Sequence, residues 1–173
     1  MSRRTPRPQR PQQARQAQQA QQAQQAQQAQ QGRRGRPAAD APCPCGLSAP
    51  YGECCGRFHS GQSAAPTAEA LMRSRFSAFA VEDAAYLLRS WHPETRPPRV
   101  DFDAGQRWRR LEILATTGGT AFHTTGTVTF RAHYTFRGEP GELREHSRFE
   151  RYEGAWVYVD GVVEGDGGAG QGS

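Results

Sequence analysis

All four cysteines of the chain, Cys43, Cys45, Cys54 and Cys55, fall in one short glycine- and proline-rich segment. It reads Cys43-Pro44-Cys45-Gly46, then a loop, then Cys54-Cys55-Gly56. Zinc takes about four thiolate or imidazole ligands in a tetrahedron, at about 2.3 Å from sulfur. A Cys-x-Cys turn stiffened by Pro44 and a second pair after a short loop are able to meet around one ion. Four sulfurs fill the coordination shell and leave no position for a substrate, so zinc is the expected cofactor and its expected role is structural. Three other arrangements compete. Disulfides between the two pairs suit an oxidising compartment, a bond between adjacent Cys54 and Cys55 would be strained, and four free thiols would have to pack as small hydrophobes. His59 is the alternative fourth ligand.

Charge and apolar content divide the rest. Residues 1–40 hold eight arginines and one acid, Asp40, so that segment is +7; the remaining 14 arginines and 16 acids give −2, which together make the formal +5. The basic balance therefore belongs to the leader and not to the folded part, which weakens any argument from net charge to nucleic acid. No run of eighteen apolar residues is present, so no membrane span is expected. No apolar segment follows the basic N-terminus, so no secretory signal is expected either. A cytoplasmic protein is the default, and there clustered cysteines are metal ligands more often than disulfides.

The Gln-Gln-Ala repeat places Ala14, Ala17, Ala20, Ala23, Ala26 and Ala29 at a strict spacing of three. A helix turns about 100° per residue, so this spacing drifts around the cylinder and builds no apolar stripe. Residues 1–41 are expected to be a disordered tail with transient helix. Residues 42–60 form the knuckle. Thr67 caps a helix with Glu69 in its first turn, and Ala68, Leu71, Met72, Phe76, Phe79 and Ala80 mark one buried face. Asp83 caps a shorter helix with Ala84, Leu87, Leu88 and Trp91 inward, ended by His92-Pro93. The stretch from Trp108 to Thr116 is mixed in period. From Thr127 the alternation is clean, with Val128, Phe130, Ala132, Tyr134 and Phe136 on one face. Gly138-Glu139-Pro140-Gly141 reads as a hairpin turn, Leu143 to Tyr152 as the next strand, and Glu153-Gly154 as a tight turn before a last strand from Ala155 to Asp160. Helices followed by an antiparallel sheet make residues 66–163 an α+β domain. Residues 164–173 read as a flexible Gly-rich C-terminus.

The cysteine spacing, with Tyr51 in the loop, resembles the SecA C-terminal motif known as SEC-C. The loop departs from that pattern in carrying Leu47-Ser48-Ala49-Pro50 and Glu53 where glycine and lysines are usual. Further motifs resemble the bacterial YchJ-type family: the run from Leu71 to Phe79, Ala85-Tyr86-Leu87, Trp91-His92-Pro93, Ser147-Arg148-Phe149 and the run from Gly154 to Gly161. Together they cover about residues 42–163. The resemblance implies a nuclear-transport-factor-two-like (cystatin-like) fold, a curved antiparallel sheet wrapped around N-terminal helices to leave a cone-shaped cavity, preceded by the zinc knuckle. It implies no reaction, since the family has no established activity. Many members carry a second SEC-C copy at the C-terminus; the Gly- and Ser-rich end here is expected to lack it.

Polar side chains on the concave face of such a cone would project into its cavity, and the candidates are Arg73, Arg75, Tyr86, His92, Glu145, His146, Ser147 and Arg148. Alternation along a strand separates Glu145, with Leu143, Ser147 and Phe149, from His146, with Arg148 and Glu150, so one set alone lines the cavity. Arg73 and Arg75 diverge by about 200° around their helix, and one of them is expected to pair with Glu145. No nucleotide loop, nucleophile elbow or carboxylate pair appears. The leading expectation is therefore a non-enzymatic zinc-binding module that meets a protein partner. The alternative is a small-molecule-binding protein or enzyme using the cavity. Weak nucleic-acid contact through the Arg-rich tail is a third expectation, testable by its salt dependence.

Overall fold

The computed structural model describes residues 35–164, together with Arg15 and Gln19 of the leader, both helical and exposed. The Gln-Gln-Ala tail and the Gly-rich C-terminus otherwise lie outside the described residues. Within residues 35–164 three α-helices precede the sheet: α1 (Cys55–His59), α2 (Ala68–Ala80) and α3 (Ala84–Arg89). Four strands follow: β1 (Gln106–Gly118), β2 (Thr125–Phe136), β3 (Glu139–Tyr152) and β4 (Ala155–Glu164). The sheet is an antiparallel meander in the order β1-β2-β3-β4. No described helix is long and apolar enough to cross a membrane.

Local chemistry sets the helix starts. The Thr67 side chain accepts a hydrogen bond from the Ala70 N–H, and the Asp83 side chain accepts one from Tyr86, each meeting a donor that a helix N-terminus leaves unpaired. The N-terminus of α2 is also pinned to the β1–β2 connection, where Ala68 N–H donates to Gly119 O at 2.8 Å.

Helix α2 is buried on two faces, whereas its apolar period announced one. Leu71, Met72 and Phe76 join the core with Val128, Phe130, Ala132, Phe149 and Trp156 of the sheet. Ser74 and Ser77 are also buried, and the cysteine knuckle lies against them. Small residues there let a second layer approach closely, and their apolar content is too low to register as a stripe.

The mixed period of β1 has a structural cause. Trp108 pairs with Tyr134 but Arg110 with His133, and Ile113 pairs with Phe130 but Ala115 with Thr129. Arg109 and Leu114 are therefore extra residues at two bulges, and each bulge inverts which alternate positions face the core. The β2–β3 turn also differs from the sequence expectation. Its central residues are Arg137 (φ 50°) and Gly138 (φ 93°), while Glu139 and Pro140 already pair with Phe136 and Thr135. A two-residue hairpin turn with positive φ at both positions follows the twist of its strands. Glu153 (φ 49°) and Gly154 (φ 84°) repeat that geometry at the next turn, as expected.

The edge of β4 is covered around Tyr158. Trp91 bridges Tyr158 in parallel, Tyr158 N–H donates to Ser90 O at 2.9 Å, and His92 N–H donates to Tyr158 O at 2.7 Å. This lays the segment after α3 along the strand and carries Trp91 to the mouth of the core.

Candidate functional site

Two sites emerge, and they lie on opposite faces of α2. The first is the knuckle. Its chain reverses by a Pro42–Pro50 bridge, with Tyr51 N–H donating to Ala41 O and Gly52 N–H to Ala39 O, both at 2.8 Å. A 3-10 turn, Tyr51–Glu53, delivers Cys54, and α1 begins at Cys55. A β-carbon on Gly56 would stand 2.6 Å from the Tyr51 carbonyl oxygen, so only glycine fits this close approach.

All four cysteines are buried and free of disulfides. Their sulfurs lie within 4.8 Å of one another, with Cys45 to Cys54 at 3.5 Å and Cys54 to Cys55 at 4.0 Å. A tetrahedron with about 2.3 Å metal–sulfur bonds has edges of about 3.8 Å, so the cluster has the dimensions of a four-thiolate zinc site. The electrostatics agree. Hydrogen bonds from Cys45 and then Cys55 push the Cys43 thiol far down, toward thiolate. Burial, followed by Cys45, pushes Cys54 up to about 12, and the hydrogen bond with Cys43 pushes Cys55 up. Four sulfurs this close cannot all carry charge alone; a dication in their midst removes the conflict.

His59 is not a fourth ligand. Its Nε2 donates to the Ser74 carbonyl at 2.8 Å, which leaves Nδ1 to accept from the Tyr51 hydroxyl at 2.7 Å. Burial pushes its pKa down, in keeping with a neutral ring. His59 instead joins knuckle to α2, and its ring packs on Tyr86 at 4.5 Å between centroids. Arg36 extends the seam, pairing with the buried Asp83 and donating to the His59 carbonyl. Composition had assigned Arg36 to the leader, yet it lies against the body of the protein.

The second site is a cavity of about 190 Å³ between α2 and the sheet. Of the eight polar candidates, Arg75 and Glu145 line it. Tyr86 lies on the knuckle side of α2, its hydroxyl 2.6 Å from Ser74 Oγ. Arg73 pairs with Glu69 and reaches the Cys45 carbonyl at 3.5 Å. His92 braces the sheet, Nε2 to Glu150 at 2.9 Å, with its ring edge-on to Tyr152. His146 and Arg148 are on the outer face, the first on Thr129 and the second in an exposed ion pair with Asp160. Strand alternation thus resolves in favour of the Glu145 set.

Inside the cavity the expected Arg75–Glu145 ion pair is replaced by a relay. The Arg75 guanidinium lies 4.7 Å from the Trp91 ring and 4.4 Å from the Tyr158 ring, and Nη1 donates to Leu87 O at 3.0 Å and Ser90 Oγ at 2.8 Å. Glu145 Oε1 accepts from Ser147 Oγ at 2.6 Å and from the Tyr158 hydroxyl at 3.1 Å. Its carboxylate rests on Gly161, where a β-carbon would come within 2.1 Å of it. Trp91, Tyr158 and Gly161 were missed as site residues. A signal for the site was present in α2, where Arg75 interrupts the apolar spacing of Met72, Phe76 and Phe79.

A family model described as the YchJ middle domain, of the type named for nuclear transport factor two, matches residues 67–161. The chain belongs to the YchJ family. It is 68% identical over 120 residues to a UPF0225 protein of Streptomyces coelicolor, spanning 69% of this chain and 94% of that one. A UPF0225 protein of Corynebacterium glutamicum is 56% identical over 122 residues, spanning 70% and 97%. Two solved structures are similar to this YchJ-family chain. One is the solution structure of a SEC-C motif-containing protein from Rhodopseudomonas palustris (29% identity, TM-score 0.62, covering 70% of this chain and 98% of that one). The other is the crystal structure of a SEC-C motif-containing protein from Psychrobacter arcticus (25%, TM-score 0.59, covering 74% and 85%). The expected fold, helices before an open antiparallel sheet with a cysteine cluster ahead of it, is that of the family.

Proposed function

We propose that the chain is a non-catalytic, zinc-stapled binding module that meets a protein partner through its knuckle. The observation that carries the reading is the buried, four-sulfur cluster with tetrahedral dimensions. Cys43, Cys45, Cys54 and Cys55 would hold the ion; when bound it supplies a structural cross-link and stabilises four thiolates. A closed sulfur shell offers no open position for a reacting group, which supports a structural role. The loop between the two cysteine pairs carries the exposed Leu47 and Ser48, and a partner would meet that loop.

Metal analysis of the purified protein tests the zinc, with one equivalent per chain as the expected result and metal-free, fully folded protein as the refuting one. Affinity capture with wild type and a Cys54→Ser variant tests the partner. Proteins retained by wild type and lost by the variant are expected; identical sets would sink the interaction reading.

A further inference from the structure

The cavity behind α2 contains polar groups that no part of the fold uses up. Arg75 is 3% exposed and sits in a lining that is otherwise dominated by Met72, Phe76, Trp108 and Phe130. Burial draws its pKa down to about 10, which leaves it charged at neutral pH. Among the described residues no carboxylate lies within 4.0 Å of it. A buried charge without a direct counter-charge is costly, and cation–π contact with two rings offsets part of that cost.

The unused donors form a pattern. Nη1 makes both hydrogen bonds of the guanidinium, so the Nε and Nη2 edge has no acceptor among the described residues. That edge is the fork that binds a carboxylate through two parallel hydrogen bonds. The indole N–H of Trp91, another lining residue, is buried and has no partner among the described residues. Glu145 supplies a complementary acceptor, since both of its hydrogen bonds fall on Oε1.

We propose that this cavity binds a small organic carboxylate with an apolar, ring-sized body, its carboxylate on Arg75 and a hydroxyl or amine donor toward Glu145. The volume sets the size: a dry cavity of about 150 Å³ accepts benzene, so one of about 190 Å³ holds a single substituted ring. The lining sets the body, because aromatic and aliphatic walls favour an apolar ring over a sugar or a polyol. The ordered guanidinium sets the charge. Packed beside the edge-on pair Trp91 and Tyr158, in contact with both rings, and anchored through Nη1, it needs no reorganisation to receive an anion. Leu143, Glu145 and Trp108 are partly exposed lining residues, and the ligand would enter past them.

The test is an NMR titration of the full-length, zinc-loaded protein with benzoate, 4-hydroxybenzoate and 3-hydroxybenzoate, and with benzamide as the uncharged counterpart. The indole signals of Trp91 and Trp108 are expected to move while Trp156 stays still, because its N–H is held on the Pro66 carbonyl away from the cavity. Carboxylates are expected to bind at least tenfold more tightly than benzamide, with at least one hydroxybenzoate tighter than benzoate. Arg75→Gln is expected to erase the first preference and Glu145→Gln the second. Since Arg75→Gln also loosens α3, Leu143→Phe in the lining provides a separate check and is expected to weaken every probe at least fivefold. Zinc content measured on the same samples separates damage to the cavity from damage to the knuckle. No indole shift at 10 mM probe, equal binding of benzamide and benzoate, or affinity unchanged in Leu143→Phe would each overturn the proposal.

Discussion

The knuckle and the sheet domain are packed against opposite faces of one helix, yet they are held by different physics. Among the described residues thirteen of the domain, including Leu71, Phe76, Leu87, Phe130, Phe149 and Trp156, form the main core, joined by Ala65 of the linker and Phe58 of the knuckle. The knuckle's own cluster is four cysteines and Tyr51, with Ala49 beside them. Burying so little apolar surface does not offset the conformational entropy of ordering the segment. The domain therefore folds by hydrophobic burial, whereas the knuckle depends on coordination, on its polar seam with α2 and on the one anchor, Phe58, that it sends into the domain core.

Metal removal should separate the two regions most widely. Structural zinc in small sites contributes on the order of 10 kcal/mol of folding free energy. A chelator, or Cys54→Ser, is expected to abolish amide-exchange protection over residues 38–60 and to loosen the Ser74 and Ser77 face of α2, with β2 and β3 still protected. Cooperative loss of the strands at the same chelator concentration would show that the two regions are one folding unit. The reciprocal experiment is Phe149→Ala in the core. It should lower stability by about 3–5 kcal/mol in denaturant unfolding while leaving one zinc per chain; loss of metal in the folded variant would contradict the division.

The seam between them gives smaller effects. Arg36→Ala leaves Asp83 buried without its ion-pair partner and is expected to cost about 1–3 kcal/mol. An unchanged melting curve would mean that the contact contributes nothing. The smallest effect is a pH dependence. Burial lowers the His59 pKa below 6.5, so as pH falls below about 6.5 the unfolded chain takes up a proton before the folded one. The His59 contribution is complete above that pH and is lost as pH falls toward the folded value. His59→Gln should flatten the slope of Tm between pH 6.5 and 5 relative to wild type; equal slopes would place the acid sensitivity elsewhere, in the thiolates.

Much of the local structure was legible in the residues. Thr67 and Asp83 declared themselves as caps because an N-terminal N–H needs a short oxygen-bearing side chain. The alternation from Thr127 onward assigned Glu145 and His146 to opposite faces, and tight turning at Glu153-Gly154 followed from glycine. Strand β1 resisted reading because its bulges at Arg109 and Leu114 break the period on which reading depends. The β2–β3 turn was placed two residues late because Pro140 looks like turn chemistry, while Arg137 does not advertise a positive φ. His59 carried no mark that separates a ligand from a strut.

The sequence alone determined the components: one four-sulfur set, two helices each with a sound N-terminal cap, and a meander whose inner face is apolar. These are properties of neighbours along the chain, where spacing and side-chain type settle the outcome. Tertiary structure decided which polar residues meet. It sent Tyr86 and His59 to the knuckle side of α2 and brought Arg75, Trp91, Glu145 and Tyr158 around one cavity, with Gly161 behind the Glu145 carboxylate. Their separations in sequence are long, and only the register of β3 with β4 and the docking of α2 on the sheet fix their distances. Periodicity records which face a residue occupies but not what lies across from it.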